Sequence, residues 1–339
     1  MKVLDTYCHW LTPRYADALT RRAAGRFHML DRAAAMPAMT DLNTRLRTLD
    51  RFPGYAQLLS LASPPPEAVA PADQTPELAR IGNDELAGLV ARLPDRFPGF
   101  VAVLPMNNLD AAAEEARRAL DELGACGVQI FTNIAGQPLD AEQLAPLLDI
   151  LVERKVPLWL HPWRTIEHAD YATESLSKFD TWWAFGWPYE TSAAMARLVF
   201  TGVFDRWPAL KIITHHLGGI VPMVAGRIGP GLDKLGLRNA PEQGDAVKTS
   251  LKERPLDAFK RFYADTACCG YRPTIECGLS FFGVDKVLFA SDMPFGPEDG
   301  GAYVRDTINA VEGLNLTESE QDSIWSGNAK RIIPRVEGL

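Results

Sequence analysis

The sequence has few of the features that would make it a membrane, nucleic-acid-binding or disulfide-framed protein. No stretch approaches 18 uninterrupted apolar residues, and the first residues carry no apolar core between a basic start and a small-residue cleavage site. Nothing therefore predicts a membrane span or a secretory leader. Basic charge is in deficit, with 35 Lys plus Arg against 43 Asp plus Glu and a formal net charge of −8. No basic block is present to grip a phosphate backbone, which argues against nucleic acid as a partner. The five cysteines, Cys8, Cys126, Cys268, Cys269 and Cys277, are odd in number and lack C-x-x-C spacing. Neither a disulfide framework nor a zinc ribbon is suggested, and a reducing cytoplasm is the expected compartment. Internal repeats and linker-like composition are also missing, so residues 1–339 read as one domain, with 47% hydrophobic residues available for a large core.

What the chain does contain is a recurring unit. Short apolar runs rich in β-formers occupy 2–5 (KVLD), 54–62 (GYAQLLSLA), 99–106 (GFVAVLPM), 127–133 (GVQIFTN), 156–161 (VPLWLH), 210–216 (LKIITHH), 262–268 (FYADTAC) and 286–292 (KVLFASD). Helical spacing follows between them, as in 109–123, 140–154, 191–204 and 302–311. Strand and helix in alternation imply parallel pairing, because a parallel connection needs a crossover long enough to be a helix. Eight such units predict an α/β fold of the closed (β/α)8 TIM-barrel type, with a doubly wound open sheet as the other arrangement of the same pattern. The barrel is favoured because His9, His161, His215, His216, Asp265 and Asp292 all fall at or just past strand ends. Closure would gather them at one mouth. Segments 10–40, 164–190 and 229–255 fit no unit and read as insertions after strands 1 and 5 and a long loop after strand 6. The second of them holds TWWAFGWPYE, whose aromatic residues suit a lid, a subunit contact or packing on the barrel rim.

Histidine is scarce, six in all, and any one alone would more often be structural than a ligand. Several at strand ends, together with Asp292 after an apolar run, form a set that a divalent metal such as Zn2+ or Mn2+ uses when positions must stay open. Residues two apart on a strand share a face, so Tyr7 and His9 are expected to look into the mouth while Thr6 and Cys8 turn away.

These motifs (the Asp-x-Tyr-x-His start, LWLHP, HxGGxxP within IITHHLGGIVPMVAGRI, and SDMPFG) resemble the amidohydrolase superfamily. The likeness is to its decarboxylase branch, typified by aminocarboxymuconate semialdehyde decarboxylase and including γ-resorcylate-type decarboxylases. It implies His9, His161 and Asp292 as ligands of one Zn2+ or Mn2+ per chain, with Tyr7 where the family has His or sometimes Glu. His216 rather than His215 matches the catalytic His, because x-Gly-Gly-x-x-Pro follows it, and Asp292 would join it in proton transfer. Arg45 and Arg227 match arginines that hold a substrate carboxylate, Arg227 across the interface of a homodimer. Trp183 is expected to contact the substrate from the aromatic segment. The implied reaction is non-oxidative decarboxylation of a small aromatic or unsaturated acid, and the lack of a Lys in GVQIFTN agrees with it. A metal-dependent hydrolase or hydratase needs nearly the same parts, and a barrel that only binds a small acid is a third reading. Tyr7 leaves three possibilities open: a weak phenolate ligand, since a phenol ionises at about pH 10 in water; a hydrogen-bond donor to substrate; or a metal-poor site.

Overall fold

The structure, a computed structural model, describes residues 3–23, 28–237, 240, 242, 244, 249 and 251–339. Part of the expected 229–255 excursion thus lies outside the described residues. Eight parallel strands follow one another around a barrel: β1 (Val3–Trp10), β2 (Tyr55–Leu61), β3 (Gly99–Phe100, resumed at Ala102–Val103), β4 (Val128–Phe131), β5 (Leu158–His161), β6 (Ile212–Thr214), β7 (Tyr263–Asp265) and β8 (Val287–Leu288). The ring closes where Thr6 N donates to Phe289 O at 2.9 Å and His9 N to Met293 O at 2.7 Å. Among the described residues no helix is long and apolar enough to cross a membrane.

The barrel interior is filled by Leu4, Leu58, Val101, Trp159, Ile213 and Leu288, with Ala329, Ile332 and Val336 of the C-terminal segment packed on the same cluster. β1 is buried along its whole length, but it does not alternate strictly. Its register against β2 runs Asp5↔Gln57 and then Cys8↔Leu59, three residues against two. This bulge inserts one residue and flips the facing. Leu4 points inward before it, and Tyr7 and His9 point inward after it, whereas Cys8 and Trp10 pack in the outer core.

Helices cover the outside, among them Thr75–Arg92, Leu109–Asp121, Ala145–Arg154, Arg272–Phe282 and Gly301–Glu312. The aromatic segment is more regular than expected: it forms a short helix, Thr181–Ala184, and the first turn of helix Gly186–Phe200. The 10–40 excursion likewise carries the short helices Pro13–Arg22, His28–Ala34 and Pro37–Thr40.

Candidate metal centre

Three strand ends deliver imidazoles to one point. One ring nitrogen each from His9, His161 and His215 lies within 4.8 Å of the others, and His215, His216 and Asp292 form an overlapping group. Local chemistry fixes how the first three rings point. His161 Nδ1 lies 2.7 Å from Pro162 O, which can only accept, so Nδ1 carries the proton. His9 Nδ1 lies 3.0 Å from Ser60 Oγ, whose own hydrogen goes to Cys8 O, so His9 Nδ1 is also the donor. His215 Nδ1 donates to Asp265 Oδ2 at 2.6 Å, while the other Asp265 oxygen accepts from His216 N and Ala267 N. In each ring the Nδ1–H is committed outward and Nε2 is left for the cluster, the arrangement by which protein metal sites orient their histidines.

Asp292 completes the group. Its Oδ1 lies 3.1 Å from His9 Nε2 and 3.4 Å from His215 Nε2, and its Oδ2 lies 3.6 Å from His216 Nε2. The residue holds φ +64°, a left-handed conformation that costs a non-glycine residue about 1–2 kcal/mol. The turn around it is pinned from β1: Asp5 accepts from Ser291 N and Ser291 Oγ, and Ser291 Oγ accepts from Met293 N. The His216 turn is also left-handed, with φ +51° at His216 and Leu217, +77° at Gly218 and +64° at Gly219. Both glycines are required by close approach as well. A Cβ on Gly219 would meet Pro188 O at 2.3 Å, and one on Gly218 would meet the Phe282 ring at 2.9 Å.

The electrostatics follow from this crowding. Burial alone would raise the Asp292 carboxyl, but the His215, His216 and His9 imidazoles around it outweigh burial and hold Asp292 well below the usual carboxylate range. Burial lowers His9 despite Asp292, and burial with the neighbouring imidazoles lowers His161 further. Burial and His215 lower His216 as well. For His215, burial opposes the charge, but Asp265 and Asp292 prevail and push it up to about 9. Tyr7 is fully buried, and burial with the Asp265 and Asp292 carboxylates pushes its phenol well above the ordinary value.

The residues present fit a divalent cation. They offer oriented imidazole nitrogens and an ionised carboxylate, and both His9 Nε2 and Tyr7 OH are buried without a hydrogen-bond partner. Not every expected residue joins them. Arg45, expected to hold a substrate carboxylate, is completely buried; its Nη1 donates to His9 O at 2.7 Å and Ala38 O at 3.3 Å, and its Nε donates to Gln57 Oε1 at 2.9 Å. It braces the end of β1 from behind, because helix Leu42–Leu49 packs there and directs the side chain inward. Trp183, expected to touch substrate, is 36% exposed and lies under the Arg32 guanidinium at 5.2 Å. Trp187, four residues on, is the tryptophan beside the histidines, with its ring 5.5 Å from His161 and 6.3 Å from His216. Phe185 separates the two helices, and a Cβ on Gly186, which opens the second, would strike Arg164 Cδ at 2.5 Å. Phe131, 5.2 Å from His161, and Phe295, 5.7 Å from His9, extend the aromatic wall. Arg227 stands exposed on helix Ala225–Leu232. His215, Asp265 and Trp187 were the residues that reasoning from sequence left without a role. Their signal was present in the strand-end positions of the first two and in the four-residue offset of the third.

A family model described as "Amidohydrolase" matches residues 12–335. The γ-resorcylate decarboxylase of Polaromonas sp. is 32% identical over 300 residues, covering 85% of this chain and 86% of that protein. The 2-amino-3-carboxymuconate-6-semialdehyde decarboxylase of Dictyostelium discoideum is 28% identical over 293 residues, covering 86% of this chain and 76% of that protein. Among solved structures, a dihydroxybenzoic acid decarboxylase from Polaromonas sp., with bound manganese and the inhibitor 2-nitroresorcinol, superposes with a TM-score of 0.76. Its identity is 25%, covering 98% of this chain and 96% of that one.

Proposed function

Because the chain belongs to the amidohydrolase family, we propose that it is a non-oxidative decarboxylase of a small hydroxylated aromatic acid, working with one bound Mn2+ or Zn2+. The observation that carries this reading is an ionised Asp292 set among imidazole nitrogens and walled by Trp187, Phe131 and Phe295. His9, His161 and Asp292 would hold the ion, which when bound supplies Lewis-acid polarisation of the substrate's oxygens.

The chain's own residues account for the rest. The aromatic wall holds the ring of the acid by stacking and keeps water away from the carbon that bears the carboxylate. His216 rests neutral near pH 7, since burial and His215 lower it; an incoming carboxylate favours its imidazolium form. Its Nε2 then delivers a proton to that ring carbon, with Asp292 Oδ2 at 3.6 Å balancing the charge. The carbon–carbon bond breaks, its electron pair restores the aromatic ring, and CO2 leaves. The enzyme works as a single-domain barrel in a homodimer, with Arg227 reaching the neighbouring subunit's acid.

The test is turnover of a panel comprising 2,6-dihydroxybenzoate, 6-methylsalicylate, 5-carboxyvanillate and a muconate-like acid by metal-loaded protein. CO2 release from at least one supports the reading. No release from any of them, alongside turnover of an ester, amide or lactone, overturns it in favour of a hydrolase. His216→Ala should lower kcat about 100-fold or more with metal content unchanged.

A further inference from the structure

We infer that His215 is itself a metal ligand in this chain and supplies the donor that Tyr7, at the start of the barrel, does not. The inference rests on the metal-dependent reading above and adds to it the identity of a ligand.

Three observations carry it. First, position: a ring nitrogen of His215 lies within 4.8 Å of those of both His9 and His161, and His215 also belongs to the group containing Asp292. His215 is thus common to both groups of candidate ligands among the described residues. Second, orientation: the 2.6 Å hydrogen bond from Nδ1 to Asp265 Oδ2 fixes the tautomer and aims Nε2 at Asp292 Oδ1, 3.4 Å away. Asp265 is itself locked by the His216 and Ala267 amides and is completely buried. A carboxylate that holds one nitrogen of a histidine while the other faces a cation site is the usual support of a ligating imidazole. Third, the Tyr7 ring lies against the His215 ring, with centroids 4.1 Å apart at 47°. Tyr7 has no carboxylate or carbonyl orienting its oxygen, and its hydroxyl is buried without a partner. It is placed to buttress the His215 imidazole and to donate a hydrogen bond to what binds in the mouth, whereas His215 is placed to coordinate. The sequence change at position 7 and the second His of the His-His pair thus belong to one arrangement.

The test uses the full-length protein loaded with Co2+, whose visible bands report the number and type of ligands, together with Mn2+ and Zn2+ affinities by chelator competition. His215→Ala should alter the cobalt bands and weaken metal binding by roughly 100-fold or more; Asp265→Asn should weaken it by roughly 10- to 100-fold. Tyr7→Phe should leave both readouts within about threefold of wild type, the size expected where no ligand is lost. His215→Gln and thermal melts of the metal-free proteins control for misfolding, and added imidazole should restore metal binding to His215→Gly. Unchanged cobalt bands and affinity in His215→Gln would overturn the inference, as would a Tyr7→Phe protein that loses both. Failure of the decarboxylase reading shows differently: the wild-type cobalt bands and affinity follow the pattern above, but no acid of the panel yields CO2. Wild-type protein that takes up no metal would overturn both.

Discussion

Arg45 and Glu67 show how much of this protein is decided by single buried charges. Arg45 spends Nη1 and Nε on His9 O, Ala38 O and Gln57 Oε1 in a fully buried position, between the rings of Trp10 and Phe97 at 5.4 and 6.0 Å. Arg45→Ala strands these acceptors and should cost about 3 kcal/mol or more in denaturant unfolding, since each unsatisfied buried group costs about 1–3 kcal/mol. KM should change little in surviving enzyme. A raised KM with unchanged stability would return Arg45 to the substrate. Glu67 is a different case: it is 7% exposed, and burial, outweighing the backbone amides of Glu67 and Met106, pushes its carboxyl up to about 8 from an ordinary value of 4.5. Between those two values the unfolded chain has released its proton and the folded chain has kept it. Glu67 therefore erodes stability as pH rises from about 4.5 to about 8, by up to about 1.4 kcal/mol per pH unit. Glu67→Gln should raise Tm at pH 8.5 and change it much less at pH 5. An equal shift at both would contradict this.

At the scale of elements, the turn after β6 depends on the helix packed over it. Helix Arg272–Phe282 passes so close that a Cβ on Gly278 would fall 1.4 Å from Leu217 Cδ2, next to His216. Gly278→Ala should cost about 1–3 kcal/mol by overpacking and lower kcat while metal content stays at the wild-type level. Unaltered kcat would show that the turn absorbs the change. The strands themselves were legible in the sequence, because short apolar runs rich in β-formers alternate with helical spacing, and several of them end at His or Asp. The bulge in β1 was not, since counting by twos cannot see an inserted residue; Tyr7 and His9 share a face as expected, but Leu4 reaches the same interior only because of it. Nor was the role of His215 legible, because the carboxylate that orients it is 50 residues downstream on the neighbouring strand. The resemblance gave Arg45 a substrate carboxylate, and the sequence could not show its burial against His9 O, Ala38 O and Gln57, because an arginine is the same letter whether it meets a ligand or the back of a strand. Trp183 and Trp187 were not separable in the sequence, because the break at Phe185 that places them on two helices leaves no mark in the residue pattern.

For the whole molecule, closure of the barrel turns scattered strand ends into one site, and the long excursion after β5 leaves large apolar side chains at its rim. Phe179, Phe185 and Tyr171 are 94%, 74% and 71% exposed, and Met223, near Arg227, is 72% exposed. Exposed apolar surface of this kind suits a subunit contact. A mixture of His216→Ala and Arg227→Ala chains should regain activity through hybrid dimers. No recovery on mixing, with hybrids shown to form, would place Arg227 outside the site. Metal-dependent decarboxylation is tested by following CO2 from metal-loaded protein and 2,6-dihydroxybenzoate or the related acids, before and after chelation. CO2 should appear in step with loss of acid, be abolished by removing the metal and be restored by Mn2+ or Zn2+. Release that persists in metal-free protein, or none from any acid while the ion is bound, would contradict it.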